Sequence, residues 1–337
     1  MTHWGESKDV LTHNITEVHE DWNDINITAF VVVEYETNPT HSFLFRNQYV
    51  NLHVEHSHLC SVFPPDILIL FLIVIVATAT GLALVCWWCL GTHRFHEVWD
   101  RPGWFRARLR SVGPLVFMLV LVLFVNKGLQ SYIEQFSHEY GVEATATIHA
   151  IEGDLVVIVQ SLIPDVTMVY FSAVYVVGYA LLLIAPVVVY FFADSARPLK
   201  LLVTAYTINY GIAVILYAAV VAYGPRNADR SSGGTSADAP LLELVPDITH
   251  LTALWNTNTN VFPSLHTSLS VTVFFIAALT RSEFRRWFAL ASVLAASIVV
   301  ATMALGIHWL TDVIAGMVLA MVAVGGARSL INRPNSL

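Results

Sequence analysis

Residues 287–327 contain only two ionisable side chains, those of His308 and Asp312. As one continuous helix this stretch would be roughly 60 Å long, about twice the thickness of the hydrocarbon core of a bilayer. It must therefore fold back on itself, and Gly306, two residues before His308, is the natural break. Only 12% of the residues are charged, against about a quarter in an average soluble domain. The chain is thus predicted to be a polytopic membrane protein and not a soluble globular one.

Uncharged runs predict about seven membrane-spanning helices and hence an all-α fold. The predicted spans cover residues 67–90, 111–132, 167–193, 201–223, 265–280, 288–306 and 309–327. The second span is interrupted by Lys127, whose side chain has to reach an interface. Three regions follow: a polar tail over residues 1–62, two spans and an outer loop over residues 63–166, and the last five spans over residues 167–330.

The basic residues give the chain its direction across the membrane. One set of loops and tails carries 12 of the 17 basic residues, whereas the opposite set carries 21 of the 25 acidic residues. Because the alternation holds at every span, the positive-inside rule places the N-terminus outside and the C-terminus in the cytoplasm. So acidic an exterior is poorly suited to nucleic acid, and no nucleic-acid partner is expected.

The tail over residues 1–62 is acidic and contains seven of the 14 histidines. Apolar and polar residues alternate over residues 50–55, which predicts a half-buried strand and a small external β-hairpin. Candidate metal ligands in this stretch are His53, Glu55, His56 and His58. Two alternating histidines on a strand, with no partner cluster elsewhere in the sequence, favour a solvated tail instead, so no metal site is predicted.

The outer loop over residues 133–165 contains a helix-like stretch, residues 144–162, that Gly153 interrupts. Its composition indicates an amphipathic helix at the outer interface. A role as a linker and a role as a wall of the active site both stay open.

The ionisable residues of the last spans lie near the outer ends and not at mid-membrane. His266 opens the fifth span, while His308 and Asp312 open the seventh. Both spans run from outside to inside, so both histidines are expected at the same outer depth. At positions i and i+4 of a helix, Asp312 can hold one ring nitrogen of His308 and leave the other more basic, as in an activated nucleophile or base.

Groups that bind anions are predicted beside these histidines. Pro263 and Ser264 form a helix N-terminus, whose free amides and positive dipole end suit a phosphate. Arg226, just beyond the fourth span, supplies a planar cationic fork. The sequence therefore predicts a phosphoryl-transfer site in which Arg226 and the amides of Ser264 and Leu265 bind the substrate.

The residues Phe262-Pro263-Ser264-Leu265-His266, followed by His308-x3-Asp312, resemble the second and third motifs of the type 2 phosphatidic acid phosphatase superfamily. The leucine variant is most similar to the inositol phosphorylceramide synthase-like branch. The resemblance covers residues 168–327 and implies that the last five spans form the catalytic bundle. It also implies a mechanism without metal or cofactor, in which His308 attacks phosphorus, Asp312 orients it and His266 protonates the leaving oxygen.

Two departures from the family pattern stand out. The first motif, a lysine followed after six residues by Arg-Pro, is missing: Arg197-Pro198 has Tyr190 at the lysine position and falls on the cytoplasmic side. Arg226 is therefore assigned the phosphate-clamping role. Ala301 and Thr302 stand where many members have Ser-Arg.

The expected function is a lipid-phosphate phosphatase or phosphotransferase at the outer face of the cell membrane. A lipid phosphate or a prenyl diphosphate would be the substrate. Two other classes stay open: a transporter or channel, which would need ionisable groups at mid-membrane, and a metal-dependent hydrolase that uses His266, His308 and Asp312 as ligands. The identity of the lipid, hydrolysis versus transfer, and oligomeric state are left undetermined.

Overall fold

The computed structural model describes residues 28–29, 50–51, 65–99, 103–227, 237 and 261–332. The chain divides into two units, residues 1–65 and residues 66–337. In the first unit, β1 (Thr28–Ala29) pairs antiparallel with β2 (Val50–Asn51). The strand predicted over residues 50–55 coincides with β2 at its first two residues. Its remainder and the histidines of residues 53–58 lie outside the described residues.

The second unit is helical. Its helices are α1 (Pro65–Trp99), α2 (Trp104–Tyr140), α3 (Thr145–Glu152), α4 (Leu155–Ser161), α5 (Asp165–Phe191), α6 (Arg197–Ala219), α7 (Leu265–Leu279), α8 (Arg285–Ala304) and α9 (Leu310–Asn332). Within the described residues, six helices are long and apolar enough to cross a membrane, namely α1, α2, α5, α6, α8 and α9. The chain is therefore a membrane protein. The fifth predicted span is α7, which has only 15 residues, so six of the seven predicted spans reach membrane-crossing length.

Helices α1 and α2 expose most of their large apolar side chains, which suits contact with lipid tails. Lys127 lies on the exposed face of α2, where its Nζ donates to Oε1 of Gln130 at 2.9 Å. Helix α2 packs along α6. Helix α1 meets α8, where Nη1 of Arg286 donates to the carbonyl oxygen of Trp88 at 2.8 Å.

Helices α5 to α9 pack together into the core of the unit, with the short α7 in contact with all four others. Leu269, Val273 and Ile276 of α7 are fully buried there. A polar contact joins α7 to α6: Nδ2 of Asn209 donates to Oγ1 of Thr272 at 2.9 Å, and the Ser268 hydroxyl donates to Oδ1 of Asn209. Buried polar groups in a membrane interior need such partners, and these hold α7 in register with α6.

The loop between α2 and α5 folds as the pair α3 and α4, separated at Gly153, whose φ of 55° lies in the left-handed region. Just before α3, β3 (Val142–Glu143) runs parallel to β4 (Val220–Val221) at the end of α6. The amide of Ala144 donates to the carbonyl oxygen of Val221 at 2.9 Å. These bonds fix the helix pair to the same end of the unit as the ends of α6 and α8 and the start of α9.

Candidate active site

His308 lies in a short loop between α8 and α9. Helix α8 ends at Ala304, and Gly306 turns the chain with a φ of 64°. The carbonyl oxygen of Thr302 accepts the amides of Ile307 and His308, at 3.0 and 3.1 Å. The break therefore falls at Gly306 as predicted. His308, however, precedes α9 by two residues and is not in its first turn, because the chain is still satisfying the carbonyls at the end of α8.

Asp312 stands behind His308. Its Oδ2 lies 3.4 Å from Nδ1 of His308, and the side chains are 4% and 0% exposed. The same oxygen accepts the amide of Trp309 at 2.9 Å. Asp312 occupies the third position of α9 and reaches back to the residue before the helix, as in one half of a capping box. The pair forms through this cap and not as positions i and i+4 on one face of a helix, which corrects the expected geometry. Nε2 of His308 makes no hydrogen bond to any described residue.

Helix α7 begins beside this pair. Ser264 is its N-cap, and Oγ of Ser264 accepts the amide of Thr267 at 3.2 Å. The amide of Ser264 donates to the carbonyl oxygen of Asp312 at 3.1 Å, so it is not available for a substrate, contrary to expectation. Among the described residues, none accepts the amides of Leu265 and His266, which are the open donors at this helix start.

The approach of α9 to α7 depends on Gly316. A Cβ atom at this position would stand 2.6 Å from the carbonyl oxygen of Ser264 and 3.1 Å from Cβ of Thr267. Real Cβ atoms do not come so close to backbone oxygen. The glycine therefore permits the contact that brings Ser264 to Asp312.

His266 projects from the first turn of α7 towards His308, with ring centroids 6.3 Å apart. Its ring lies between two tyrosines of α5, with centroids 4.4 Å from Tyr175 and 4.3 Å from Tyr179. Tyr175 lies within a π-helical turn, Val174–Gly178, inside α5, and Tyr179 directly follows that turn. Such turns occur frequently at functional sites, and this one aims two aromatic rings at one histidine.

Arg226 lies on a 3-10 turn, Pro225–Asn227, after α6. Its amide donates to the carbonyl oxygen of Gly306 at 3.1 Å, which ties it to the His308 loop. Burial lowers the pKa of the Arg226 guanidinium, and the nearby Tyr175 hydroxyl opposes that change. The group stays cationic at any physiological pH. Its buried Nη1 has no hydrogen-bond partner among the described residues, so this donor is left for a ligand.

The structure brings His266, His308 and Asp312 together and places the amide of Leu265 and the turn of Arg226 around them.

Sequence reasoning missed Tyr175 and Tyr179, whose signal was a pair of tyrosines four residues apart in an apolar span. It also missed Glu152 of α3, whose carboxylate accepts the amides of Leu310 and Thr311. No local pattern marks that contact. Among the described residues, no three His, Cys, Asp or Glu side chains gather as a set of metal ligands.

This arrangement can hold a phosphoryl group between two imidazoles. One imidazole is backed by a carboxylate. A cation lies beside the pair, as do two amides that have no acceptor among the described residues. The sequence profile of the PAP2 superfamily matches residues 148–326, slightly more than half of the chain, from within α3 to within α9. No curated protein and no solved structure matches the chain. The chain belongs to the PAP2 superfamily, whose members are phosphatases and phosphotransferases.

Proposed function

We propose that this protein cleaves or transfers the phosphoryl group of a lipid phosphate through a phosphohistidine at His308. The observation that carries the proposal is the closeness of two imidazoles, those of His266 and His308, whose ring centroids are 6.3 Å apart. The Asp312 carboxylate lies 3.4 Å from Nδ1 of His308. A nucleophile stands about 3–3.5 Å from the atom that it attacks, and a general acid about 2.6–3.2 Å from its oxygen. Two imidazoles with centroids this far apart are close enough for both to contact one bound phosphoryl group.

In the first step, Nε2 of His308 forms a bond to phosphorus while the bond from phosphorus to the leaving oxygen breaks. His266 gives its proton to that oxygen, and Asp312 holds the ring of His308 in orientation and stabilises its positive charge. In the second step, a hydroxyl attacks the phosphorus, the N–P bond breaks and the hydroxyl proton passes to His266. Water as the attacking group gives hydrolysis, and an alcohol gives transfer.

The negative charge on the phosphoryl group is stabilised by hydrogen-bond donors that are in place before the reaction. Nη1 of Arg226 and the amides of Leu265 and His266 have no partner among the described residues. Donors already aimed at a developing anion need no reorganisation, which makes them effective in transition-state stabilisation. Arg226 thus binds the phosphoryl group in place of the basic residues of the missing first motif.

A lipid phosphate is the substrate class that suits a site built at the ends of apolar helices. Phosphatidate-like lipids, prenyl diphosphates and inositol-lipid donors share the required phosphoryl group. Leu265 inside the second motif supports the inositol phosphorylceramide synthase-like branch, and hence transfer. The basic residues on the opposite loops support a site at the outer face, with the C-terminus in the cytoplasm.

The test is phosphate release by the purified protein from a panel of lipid phosphates and prenyl diphosphates, with a chelator present throughout. His308→Ala is the inactive variant, and His138→Ala, an exposed histidine of α2, is the matched control. We expect release by the wild type and by His138→Ala, and none by His308→Ala. The same reactions are searched for a new phospholipid product after addition of an alcohol-bearing acceptor lipid.

Full activity in His308→Ala would contradict the phosphohistidine mechanism. Loss of activity with the chelator and its recovery with zinc would favour a metal-dependent hydrolase in its place.

A further inference from the structure

The N-terminus of α9 is closed by carboxylates of the protein itself. Oε2 of Glu152 accepts the amide of Leu310 at 2.8 Å, and Oε1 accepts the amide of Thr311. The preceding amide, that of Trp309, is taken by Asp312. Three consecutive donors at the start of α9 are therefore satisfied, and the negative charge of Glu152 lies at the positive end of the helix dipole.

A second side chain of the same helix pair holds the other end of the loop. Nε2 of Gln160, on α4, donates to the carbonyl oxygen of Ala304 at 3.0 Å. Ala304 is the last residue of α8, where carbonyl oxygens have no partner within the helix. Gln160 is buried, so this contact is shielded from water. Glu152 and Gln160 thus fasten both ends of residues 305–309, the loop that carries His308.

Trp309, the last residue of the loop, makes two further contacts. Nε1 of Trp309 donates to the carbonyl oxygen of Tyr223 at 2.8 Å. The ring of His149, from α3, packs edge-on against Trp309 with centroids 5.7 Å apart. Rotation of the loop would break these contacts together with those of Glu152.

We infer that Glu152 is a positioning residue of this active site. The inference rests on the proposed function, because it concerns how His308 is presented to phosphorus. By fixing the first turn of α9, Glu152 fixes Asp312, which in turn orients the ring of His308. By occupying the amides of α9, it leaves the start of α7 as the open helix N-terminus near the histidines, and the substrate phosphate is directed there.

The variants that test this are Glu152→Ala and Glu152→Gln, with Glu143→Gln as the matched control. Glu143 lies just before the same helix pair, and its Oε1 accepts the amide of Thr145 at 3.2 Å. Within the described residues it makes no hydrogen bond to α9. In Glu152→Ala, kcat is expected to fall about 10- to 100-fold, as when a residue that orients a functional side chain is removed. KM should change less than about threefold. Glu152→Gln keeps one acceptor oxygen and should recover part of kcat. Glu143→Gln should match the wild type.

A purely structural role would change the amount of folded protein and not the ratio of kcat to KM. A folded Glu152→Ala or Glu152→Gln variant with kcat within twofold of wild type overturns the inference. Amide hydrogen exchange at residues 309–311 supplies a readout that needs no turnover. Faster exchange in the Glu152 variants than in Glu143→Gln supports the contact, and equal exchange rejects it. Absence of turnover in the wild type would count against the proposed function alone.

Discussion

The amide of Ser264 donates a hydrogen bond of 3.1 Å to the carbonyl oxygen of Asp312. This bond joins the start of α7 to the first turn of α9 through backbone atoms, so it does not depend on the side chain of either residue. It sets the separation of His266 and His308, because each histidine lies within four residues of one of the bonded atoms. Single substitutions of either histidine should therefore leave the scaffold of the site in place.

Gly316→Ala tests this junction directly. The added Cβ would stand 2.6 Å from the carbonyl oxygen of Ser264, so α7 and α9 must move apart. Overpacking of this kind costs typically about 1–3 kcal/mol of folding free energy, and a 1 Å misplacement of reacting groups can lower the rate about 100-fold. We expect a lower thermal unfolding midpoint in detergent together with a large loss of kcat.

The control for that substitution is Gly325→Ala, in the same helix. Nothing lies within 4 Å of a Cβ atom built at Gly325, and alanine favours a helix over glycine by about 1 kcal/mol. Wild-type activity and an equal or higher unfolding midpoint are expected. Equal behaviour of the two variants would show that the junction does not govern activity.

Asp312→Asn tests the support of His308. An asparagine oxygen still accepts the amide of Trp309, so the cap of α9 remains. It carries no charge to stabilise the imidazolium, and its amide group can turn towards Nδ1 of His308. We expect the rate of phosphoenzyme formation in a single-turnover assay to fall by about 100-fold, with the unfolding midpoint nearly unchanged.

Asp165→Asn is the companion variant for this experiment, since Asp165 is an exposed acid in the first turn of α5. It should form the phosphoenzyme at the wild-type rate. An Asp312→Asn protein that reacts as fast as Asp165→Asn would remove Asp312 from the mechanism.

Much of this site could be predicted because the required signals are local or follow from membrane topology. His266 and His308 were predicted to lie at the same end of the helices. That prediction rested on the Phe262–His266 motif, the break at Gly306 and the run of spans. The exact form of the His308 loop could not be predicted, because Thr302 extends the hydrogen bonding of α8 past its end. The role of Glu152 could not be predicted for a different reason. In sequence, 158 residues separate it from Leu310, and no periodic pattern encodes a helix cap supplied by so distant a residue.

Asn209→Ala is predicted to lower stability more than activity. Asn209 joins α6 to α7 through Thr272 and Ser268, and its loss leaves two hydroxyls without that partner in an apolar interior. An unsatisfied buried polar group costs about 1–3 kcal/mol. The unfolding midpoint should drop, while activity per folded molecule stays near wild type. Thr207→Ala removes a hydroxyl that donates within α6 to the carbonyl oxygen of Val203, and it should have a smaller effect.

Arg226→Gln is expected to weaken the binding of the phosphoryl group. The Nη1 donor of Arg226 is buried and has no partner among the described residues, so a bound anion would supply its missing acceptor. Loss of charge-assisted hydrogen bonds worth about 1.5–3 kcal/mol corresponds to inhibition by inorganic phosphate that is about 10- to 100-fold weaker. Arg226→Lys should recover only part of that affinity, since a lysine lacks the planar pair of donors.

Arg281→Gln serves as the reference for that measurement. Arg281 is exposed, and its Nη1 donates to the carbonyl oxygen of Ala278 at 3.4 Å, at the C-terminal end of α7. Because α7 begins at the active site and ends at the opposite side, loss of this cation tests for a general effect of net charge. Phosphate inhibition should match the wild type. If Arg226→Gln were inhibited as strongly as Arg281→Gln, the clamp would have to be sought among the amides of α7 alone.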